Sequence, residues 1–458
     1  MNQKRVQIAI VGAGPSGFYA ARALSKELNR PHRIDIIDRL PTPFGLVRGG
    51  VAPDHQSIKR VSKSYERLLR NDSIRFIGNI CLGRDLTRKD LERYYHAIIY
   101  ATGNESARSL HIPGEDLDGV HSATEFVFWY NGHPDYRNCQ FRLEEAKRVA
   151  IIGNGNVALD VARILAKKTT ELAHTDIADY ALQKLSNASI EEIIIVGRRG
   201  PAQSSFSPKE LQELASVNGI QFIVSPRDIQ QSQKPDNLQW VEAYASASAK
   251  KNLSFLTEQA EQSKENGGRK VRVLFHLSPT ACIGSDNKLT HLCLRRNALL
   301  EKGSRMSAIA TDEKHSEPID LVFKAIGYRG IPIPSVPFDH SKGIIPNVDG
   351  RVVESLTGRH LLGNYVVGWA KRGPNGLLGT NRPDAEATVT LLLADIETLL
   401  QHSKKDDILP EIREKGLRCV SKDDWNRIDQ EELRRGKSKG KIREKFTDTQ
   451  ALLAFLET

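Results

Sequence analysis

The order of apolar and polar stretches in the first fifty residues predicts a strand, a glycine-rich turn, a helix and a second strand. VQIAIVG, from residue 6, is an almost continuous apolar run, typical of a strand buried on both faces. FYAARALSKEL then repeats apolar residues at helical spacing, and RIDIID forms the next strand. This order predicts a βαβ unit with parallel strands at the start of the chain.

The same pattern returns in the middle of the chain. RVAIIG (148–153) predicts a strand, NVALDVARILAKK a helix, and EEIIIVG a second strand. AIIYATG (97–103) and LVFKAIGY (321–328) predict one further strand in each half. Two such units in one chain predict an α/β fold with two doubly wound dinucleotide-binding domains.

The remaining segments indicate how the two domains share the chain. The polar stretch 246–270 predicts a helix followed by a loop, and PIPSVPFD after residue 328 is a proline-rich crossing segment. The last hundred residues return to glycine-rich loops and helix. We therefore expect the second domain, residues 105–325, to be inserted into the first, residues 1–104 and 326–458.

The first glycine-rich turn, GAGPSG, has the spacing of a dinucleotide-binding loop. Gly12 permits the tight turn, Gly14 lets the backbone approach a pyrophosphate, and Gly17 allows close packing of helix and strand. Pro15 belongs to the same loop and is a candidate FAD contact, and the N-terminal amides of the helix that follows attract phosphate. The following strand ends at Asp38, where a carboxylate accepts hydrogen bonds from an adenosine ribose. This first site predicts FAD or NAD.

The second turn, GNGNVA, carries Gly153 and Gly155 with Ala158 in the third position, which this type of loop permits. Its following strand ends not in an acid but in Arg198 and Arg199. Guanidinium groups there suit a ribose 2′-phosphate, because each makes paired charge-assisted hydrogen bonds. The pair predicts NADP(H) at the second site, and an ordinary surface pair at a strand end is the alternative.

Composition narrows the classes of protein. The net charge of +10 favours anionic partners: a phosphorylated cofactor, an acidic protein or nucleic acid. Aromatic residues make up only 6%, without the basic and aromatic stripes of nucleic-acid binders. The five cysteines form no CxxC or CxxxxC pair, which argues against a disulfide reductase. No apolar run reaches the length of a membrane helix, and we expect no leader before the first strand. We expect a cytoplasmic protein, or an organellar one in mature form.

Longer motifs resemble one family of flavoproteins. GAGPSGFYAARAL, PFGLVRGGVAPDH (43–55), GNGNVALDVARIL (153–165), VGRRGP (196–201) and GWAKRGPNG (368–376) are similar to segments of the adrenodoxin-reductase-type ferredoxin–NADP+ reductases. The resemblance extends to the basic C-terminal stretch RRGKSKGKIREKF (434–446). It implies non-covalent FAD in the first domain, NADPH in the second, a monomer, and an acidic ferredoxin-type iron–sulfur protein as electron acceptor.

The resemblance also implies roles for individual residues. The matching motifs place these residues, with the glycines of the first loop, on FAD: Ser16, Asp38, Leu46, Leu82, Trp369, Gly376, Leu377 and Leu378. On the NADP side they place Asn154, Gly155, Asn156 and Val157 at the pyrophosphate, Arg198 and Arg199 at the 2′-phosphate, Glu210 facing the nucleotide, and Gly376 where the nicotinamide nears the flavin.

The predicted activity is the transfer of electrons from NADPH through the flavin to the iron–sulfur protein, one at a time. His55 and Glu210 are candidates for proton supply or positioning, and a hydrogen-bonded loop histidine is the alternative for His55. Arg48, Lys371 and Arg372 are candidates for stabilising reduced flavin or steering the acceptor. The alternatives are an NADPH-dependent diaphorase or monooxygenase with a non-ferredoxin acceptor and, without catalysis, a flavin-binding redox sensor.

Overall fold

The computed structural model describes residues 5–262, 267–376 and 378–458. Its strands are β1 Val6–Val11, β2 His32–Ile37, β3 Ile74–Ile77, β4 Ala97–Tyr100, β5 Ser106–Ala107, β6 Val120–Ser122, β7 Arg148–Ile152, β8 Glu192–Val196, β9 Ile220–Val224, β10 Arg269–Leu274, β11 Leu277–Ser285, β12 Lys288–Lys302, β13 Arg305–Pro318, β14 Leu321–Lys324, β15 Tyr328–Arg329, β16 Asn347–Val348, β17 Arg351–Val353 and β18 His360–Val366.

The α-helices are α1 Pro15–Glu27, α2 Leu46–Gly49, α3 Gln56–Lys59, α4 Ser62–Leu68, α5 Arg88–Tyr94, α6 Ala123–Tyr130, α7 Asn156–Ala166, α8 Thr169–Leu172, α9 Asp179–Ser186, α10 Pro208–Ala215, α11 Pro226–Ser232, α12 Pro235–Tyr244, α13 Ala247–Gln262, α14 Trp369–Arg372, α15 Asn381–Leu399, α16 Leu409–Glu414, α17 Lys422–Ser438 and α18 Thr449–Glu457. Short 3₁₀ turns span Pro134–Tyr136, Pro201–Gln203 and Leu378–Thr380. In the described part of the chain, no helix combines the length and the apolar character needed to cross a membrane.

The chain divides into two compact units. The first combines the described residues up to Ser106 with those from Gly327 to Thr458, and the second is Ala107–Ile326. The first unit is therefore discontinuous in sequence, and the second is a single stretch of chain.

The first unit is built on a seven-stranded sheet in the order β16-β17-β18-β4-β1-β2-β3. Strands β18, β4, β1, β2 and β3 run parallel, whereas β17 and β16 add an antiparallel edge. Strand β1 is central because the chain leaves it toward β2 and β3 and later returns to its other side as β4. A reversal of this kind opens a crevice at the carboxyl end of β1, where ligands bind in such sheets.

The second unit has a six-stranded parallel sheet in the order β6-β14-β7-β8-β10-β9. Strands β11, β12 and β13 form a separate antiparallel sheet. The apolar patterns of the sequence had not indicated this three-stranded sheet. The two parallel sheets confirm the predicted α/β fold class.

Both parallel sheets are buried on both faces, as their continuous apolar runs predict. In β1, Val6, Ile8 and Ile10 pack into one apolar cluster, and Ala9 and Val11 pack into another on the opposite face. Strand β8 alternates in the same way, with Ile193 and Ile195 in one cluster and Ile194 and Val196 in a second. Because successive side chains of a strand point to opposite faces, each of these strands joins two apolar layers.

Candidate cofactor sites

The turn after β1 is shaped by contacts that exclude larger side chains at two of its three glycines. Gly12 has a φ of +114°, and a Cβ there would lie 2.4 Å from the carbonyl oxygen of Ala101. A Cβ on Gly17 would lie 2.1 Å from the carbonyl oxygen of Gly12. A Cβ on Gly14, in contrast, would meet nothing within 4 Å. The turn therefore holds strand and helix tightly together and leaves space at Gly14, in front of the amides that begin α1.

Asp38 follows β2 and accepts two backbone hydrogen bonds. Its Oδ2 accepts from the Ala13 amide at 2.6 Å and its Oδ1 from the Leu40 amide at 2.9 Å. Burial outweighs these bonds and raises the pKa of Asp38 to about 6. The carboxylate thus ties the first loop to the end of β2 and is ready to accept further hydrogen bonds.

A cavity of about 350 Å³ lies beside this carboxylate within the first unit. Gly12, Asp38, Leu82, Thr102 and Ile333 are among the residues that line it. A mostly apolar cavity with the carboxylates of Asp38 and Glu105 at its wall suits an adenosine moiety, because the base needs apolar walls and the ribose needs an acceptor.

The structure places other predicted FAD residues around the first loop. A Cβ on Gly45 would lie 2.9 Å from the Cα of Gly14, so Gly45 packs directly against the first loop. The next residue, the half-buried Leu46, begins α2. Ser16 lies against Gly368, where a Cβ would lie 2.0 Å from the serine Oγ. Gly376 has a φ of +83°, Leu378 begins a 3₁₀ turn, and Leu377 lies outside the described residues.

Several buried polar atoms in this unit have no hydrogen-bond partner among the described residues. Among them are the indole Nε1 of Trp369 and the side-chain amide of Asn104. Buried donors without partners are rare in proteins and indicate a group that is present in the functional state. The sequence analysis had missed Asn104, although its place directly after the ATG end of β4 could have indicated it.

The second loop repeats the geometry of the first in its own unit. Gly153 has a φ of +132°, and a Cβ there would lie 2.3 Å from the carbonyl oxygen of Ala325. Gly155 caps α7, and the nearest atom to its missing Cβ is the Ser205 hydroxyl at 3.7 Å. Ala158 is fully buried. This turn therefore also leaves space where a pyrophosphate would meet a helix N-terminus.

The loop after the arginine pair closes over the second turn. Asn154 accepts the Ser205 amide on its carbonyl at 2.9 Å, and Asn156 accepts the Ser207 amide on its Oδ1 at 2.8 Å. The side-chain nitrogen of Asn154 is buried and has no partner among the described residues. Val157, which is half-buried, packs against the main apolar cluster of the unit.

Arg198 and Arg199 lie immediately after β8, the first exposed and the second half-buried. Within the described part of the chain, no carboxylate pairs with either guanidinium group. Burial, and then the positive charges of Arg198 and Arg305, lower the pKa of Arg199 below its usual value. Cations gathered in this way repel one another, and a bound anion would relieve that repulsion.

The two candidate proton-handling residues lie in different units. Half-buried His55 occupies the N-cap position of α3, and its side chain makes no capping hydrogen bond. Glu210 is 8% exposed and its Oε2 accepts a hydrogen bond from the Nη1 of Arg163 at 3.3 Å. Arg163, itself 1% exposed, also donates to the carboxylate of Asp160 at 2.7 Å.

The structure gives the candidate steering cations internal partners. Arg48 donates to both carboxylate oxygens of the fully buried Glu432. Lys371 lies 3.2 Å from the carboxylate of Asp384, and Arg372 donates to the side chain of Asn381. Their charges are thus held within the first unit, which weakens the expectation that they steer an acceptor.

Comparisons with known proteins agree with this arrangement of two nucleotide-binding units. A model of the pyridine nucleotide-disulphide oxidoreductase family matches residues 6–224. NADPH:adrenodoxin oxidoreductase, a mitochondrial protein of Arabidopsis thaliana, is 38% identical over 467 residues, covering 99% of this chain and 96% of the relative. NADPH-ferredoxin reductase FprA of Mycobacterium tuberculosis is 39% identical over 459 residues, covering 97% of this chain and 98% of the relative.

A solved structure extends the similarity to three dimensions. The structure of Mycobacterium tuberculosis FprA in complex with NADPH superposes on this chain with a TM-score of 0.92 at 38% sequence identity. The match covers 99% of this chain and 100% of that one. The similarity therefore includes both units and the C-terminal segment.

Proposed function

The chain belongs to the family of NADPH:adrenodoxin and NADPH–ferredoxin reductases, and from this premise we propose that it transfers electrons from NADPH through bound FAD to a ferredoxin-type iron–sulfur protein. The contrast between the two strand ends supports this most directly. The first unit ends its second strand in Asp38, whereas the second unit ends its second strand in Arg198 and Arg199. A carboxylate suits an unmodified ribose and two guanidinium groups suit a phosphorylated one. FAD therefore belongs to the first unit and NADP(H) to the second.

The residues of the first unit fit FAD. The open space at Gly14 faces the N-terminal amides of α1, and the cavity beside Asp38 has room for the adenosine. The unpartnered Nε1 of Trp369 and amide of Asn104 supply donors and an acceptor for a polar heterocycle. When bound, a flavin supplies the exchange between two-electron and one-electron transfer. The protein binds and orients it with these residues, together with Ser16, Leu46, Leu82, Gly376, Leu377 and Leu378.

The residues of the second unit fit NADPH. Asn154, Gly155, Asn156 and Val157 hold the pyrophosphate at the start of α7, and Arg198 and Arg199 hold the 2′-phosphate. Glu210 faces the nucleotide, its carboxylate oriented by Arg163. By the family motif that carries it, we expect Gly376 to contact the nicotinamide. His55 and Glu210 position groups or hold protons near the reaction, since no side chain is needed to break the bond itself.

The acceptor is an acidic ferredoxin-type protein, and the enzyme acts as a monomer. The net charge of +10 supports an acidic partner, because opposite charges accelerate the encounter of two proteins. No two of the five cysteines have CxxC or CxxxxC spacing and all five are free thiols in the structure, which supports an acceptor outside this chain rather than an internal dithiol.

Anaerobic reduction tests the proposed function. The purified protein is expected to be yellow, to lose its flavin absorbance on addition of NADPH, and to reduce an added ferredoxin in rapid-mixing experiments. Rapid reduction of artificial dyes with no ferredoxin accepted would instead indicate a diaphorase or monooxygenase. A flavin that NADPH reduces without turnover with any acceptor would indicate a redox sensor, and a colourless protein would contradict the proposal.

A further inference from the structure

The turn that carries the arginine pair is fixed by hydrogen bonds to three consecutive carbonyl groups. The amide of Leu277 donates to the Gly197 carbonyl at 3.0 Å, and the amide of His276 donates to the Arg199 carbonyl at 3.1 Å. Between them, the side-chain Nδ2 of Asn297 donates to the Arg198 carbonyl at 2.8 Å. The first two donors lie where the chain enters β11, and the third lies within β12. Of the three, Asn297 is the one that uses a side chain.

Asn297 reaches the turn because β12 departs from regular pairing at this point. The register changes from Arg295 opposite Lys314 to Asn297 opposite Ala310, so three residues of β13 face a single residue of β12. Such bulges redirect side chains, and they occur often beside functional sites. Asn297 is 2% exposed and lies beyond the stretch of β12 that pairs with β11.

The orientation of Asn297 is determined on every side. Its Nδ2 also donates to the Ser278 hydroxyl at 2.8 Å, and its backbone amide donates to the His276 carbonyl at 2.7 Å. Its own carbonyl accepts the side-chain amide of Gln231, from α11, at 2.9 Å. A residue whose backbone and side chain are each held by two hydrogen bonds acts as a rigid support.

The arginine side chains, in contrast, have no such support of their own. Neither guanidinium group has a hydrogen-bond or ion-pair partner among the described residues. The backbone of the turn therefore determines where each arginine side chain begins. If the turn is displaced, the two side chains must be reordered when a phosphate binds, and the affinity for the phosphate falls.

We propose that Asn297 is a positioning residue for nucleotide choice, which fixes the Arg198 carbonyl so that both guanidinium groups face the 2′-phosphate of NADPH. This inference rests on the proposed function of the arginine pair and deepens it. The antiparallel sheet thereby serves as the support of the phosphate-binding turn. NADH lacks the 2′-phosphate, so its use does not depend on this support.

Steady-state kinetics of the FAD-loaded enzyme with ferricyanide test the role of Asn297. In Asn297→Asp the donor to the Arg198 carbonyl is lost without a change in size, and in Asn297→Ala the whole amide is removed. Each substitution removes one hydrogen bond that aligns the turn, so we expect the KM for NADPH to rise about tenfold while kcat stays unchanged. The kcat/KM for NADH should stay at the wild-type value. Ser278→Ala, which removes only the second acceptor of Asn297, is a milder variant with a smaller effect in the same direction.

Asn131→Ala provides the matched control. Asn131 is a buried asparagine of the same unit whose Nδ2 donates to the Val127 carbonyl at 3.0 Å, so its loss costs a similar hydrogen bond elsewhere. It should lower the thermal stability without changing the ratio of NADPH to NADH use. Equal losses with both nucleotides in the Asn297 and Ser278 variants would show a merely structural role and overturn the proposal.

A double-mutant cycle separates this inference from the function on which it rests. In an Arg198→Ala, Arg199→Ala background, Asn297→Asp should cause no further loss of NADPH affinity, because its effect passes through the arginines. A full additional loss would overturn the role of Asn297. If the arginine variant itself weakened NADPH and NADH use equally, the assignment of the 2′-phosphate site would fail instead.

Discussion

Asp38 and the pair Arg198–Arg199 occupy equivalent places, each at the carboxyl end of the second strand of a βαβ unit. Asp38 is held by the amides of Ala13 and Leu40, and its acceptor oxygens lie beside an apolar cavity. The arginines have no carboxylate partner in the described chain. The opposite charges of Asp38 and the arginine pair therefore make two similar loops select different nucleotides. Each selection can be tested by changing one or two side chains.

Replacing Arg198 and Arg199 together by alanine should raise the KM for NADPH far more than that for NADH. Two charge-assisted contacts to the 2′-phosphate are lost, at a cost of about 3–5 kcal/mol in NADPH affinity. Steady-state kinetics with each nucleotide measure the difference. Arg227→Ala removes an exposed arginine of the same unit that pairs with Glu313, and it should change neither value. Equal effects on NADPH and NADH in the double variant would refute the assignment.

FAD affinity should depend on pH through Asp38. Burial raises the pKa of this carboxyl in the FAD-free protein to about 6, and ribose hydroxyls donate to its ionised form. FAD therefore binds more tightly to the ionised carboxylate and lowers the pKa of Asp38. The affinity for FAD is full above pH 6 and declines as the pH falls below 6, at most about tenfold per pH unit. Fluorescence titration of the apoprotein with FAD measures this decline. In Asp38→Asn the affinity should be weaker and nearly independent of pH in this range.

Among the elements, α17 explains how the basic C-terminal stretch RRGKSKGKIREKF (434–446) is held to the first unit. Glu432 on this helix is 0% exposed and pairs with Arg48, from α2, and with Arg443 at 2.8 Å. It also accepts the Phe446 amide at 2.9 Å. The helix thus ties the C-terminal segment to α2, whose first residue is Leu46.

Glu432→Ala should destabilise the first unit by about 3–5 kcal/mol, because it leaves the largely buried guanidinium group of Arg48 without a counter-charge and that of Arg443 with Asp429 alone. Burial opposes the charge of Glu432, yet Arg48 and Arg443 lower its pKa below the usual value. This contribution is therefore present above the ordinary pKa of glutamate and is lost as the pH falls through the lowered value.

Its neighbour is a matched control for Glu432. Glu431 pairs on the surface with Arg434 and Arg435, and its replacement by alanine should cost less than about 1 kcal/mol. Thermal or urea unfolding of both variants, with FAD bound, measures the contrast. Equal destabilisation by the two substitutions would contradict the buried network as a support of α2.

For the whole molecule, the charge of +10 predicts a salt-dependent encounter with the acceptor. At 0.1 M ionic strength charges are screened beyond about 10 Å, so added salt should slow the reduction of an acidic ferredoxin. Rapid mixing of NADPH-reduced enzyme with ferredoxin at increasing NaCl measures this rate. A neutral quinone acceptor is the control and should show little change, whereas equal salt effects on both acceptors would remove the support for an acidic partner.

The elements that the sequence predicted are those with a local signal. Strands β1 and β8 are continuous apolar runs, and the loops at Gly12 and Gly153 precede helices with clear apolar spacing. The antiparallel sheet was not predicted, since β13 is mostly exposed and both β12 and β13 mix charged with apolar residues. The partners of Arg48, Lys371 and Arg372 were also hidden. Glu432 lies 384 residues from Arg48 in sequence, and no local pattern reveals such a pairing.

The sequence by itself determined the two βαβ units, their glycine-rich turns and the contrast between Asp38 and the arginine pair, because each depends on residues close together in the chain. Only the tertiary structure decided what supports them. Asn297 lies 99 residues from Arg198, and it reaches that carbonyl because a bulge in β12 redirects it. Hydrogen bonds and ion pairs between distant segments depend on how those segments pack together in the folded chain, which no local sequence pattern reveals.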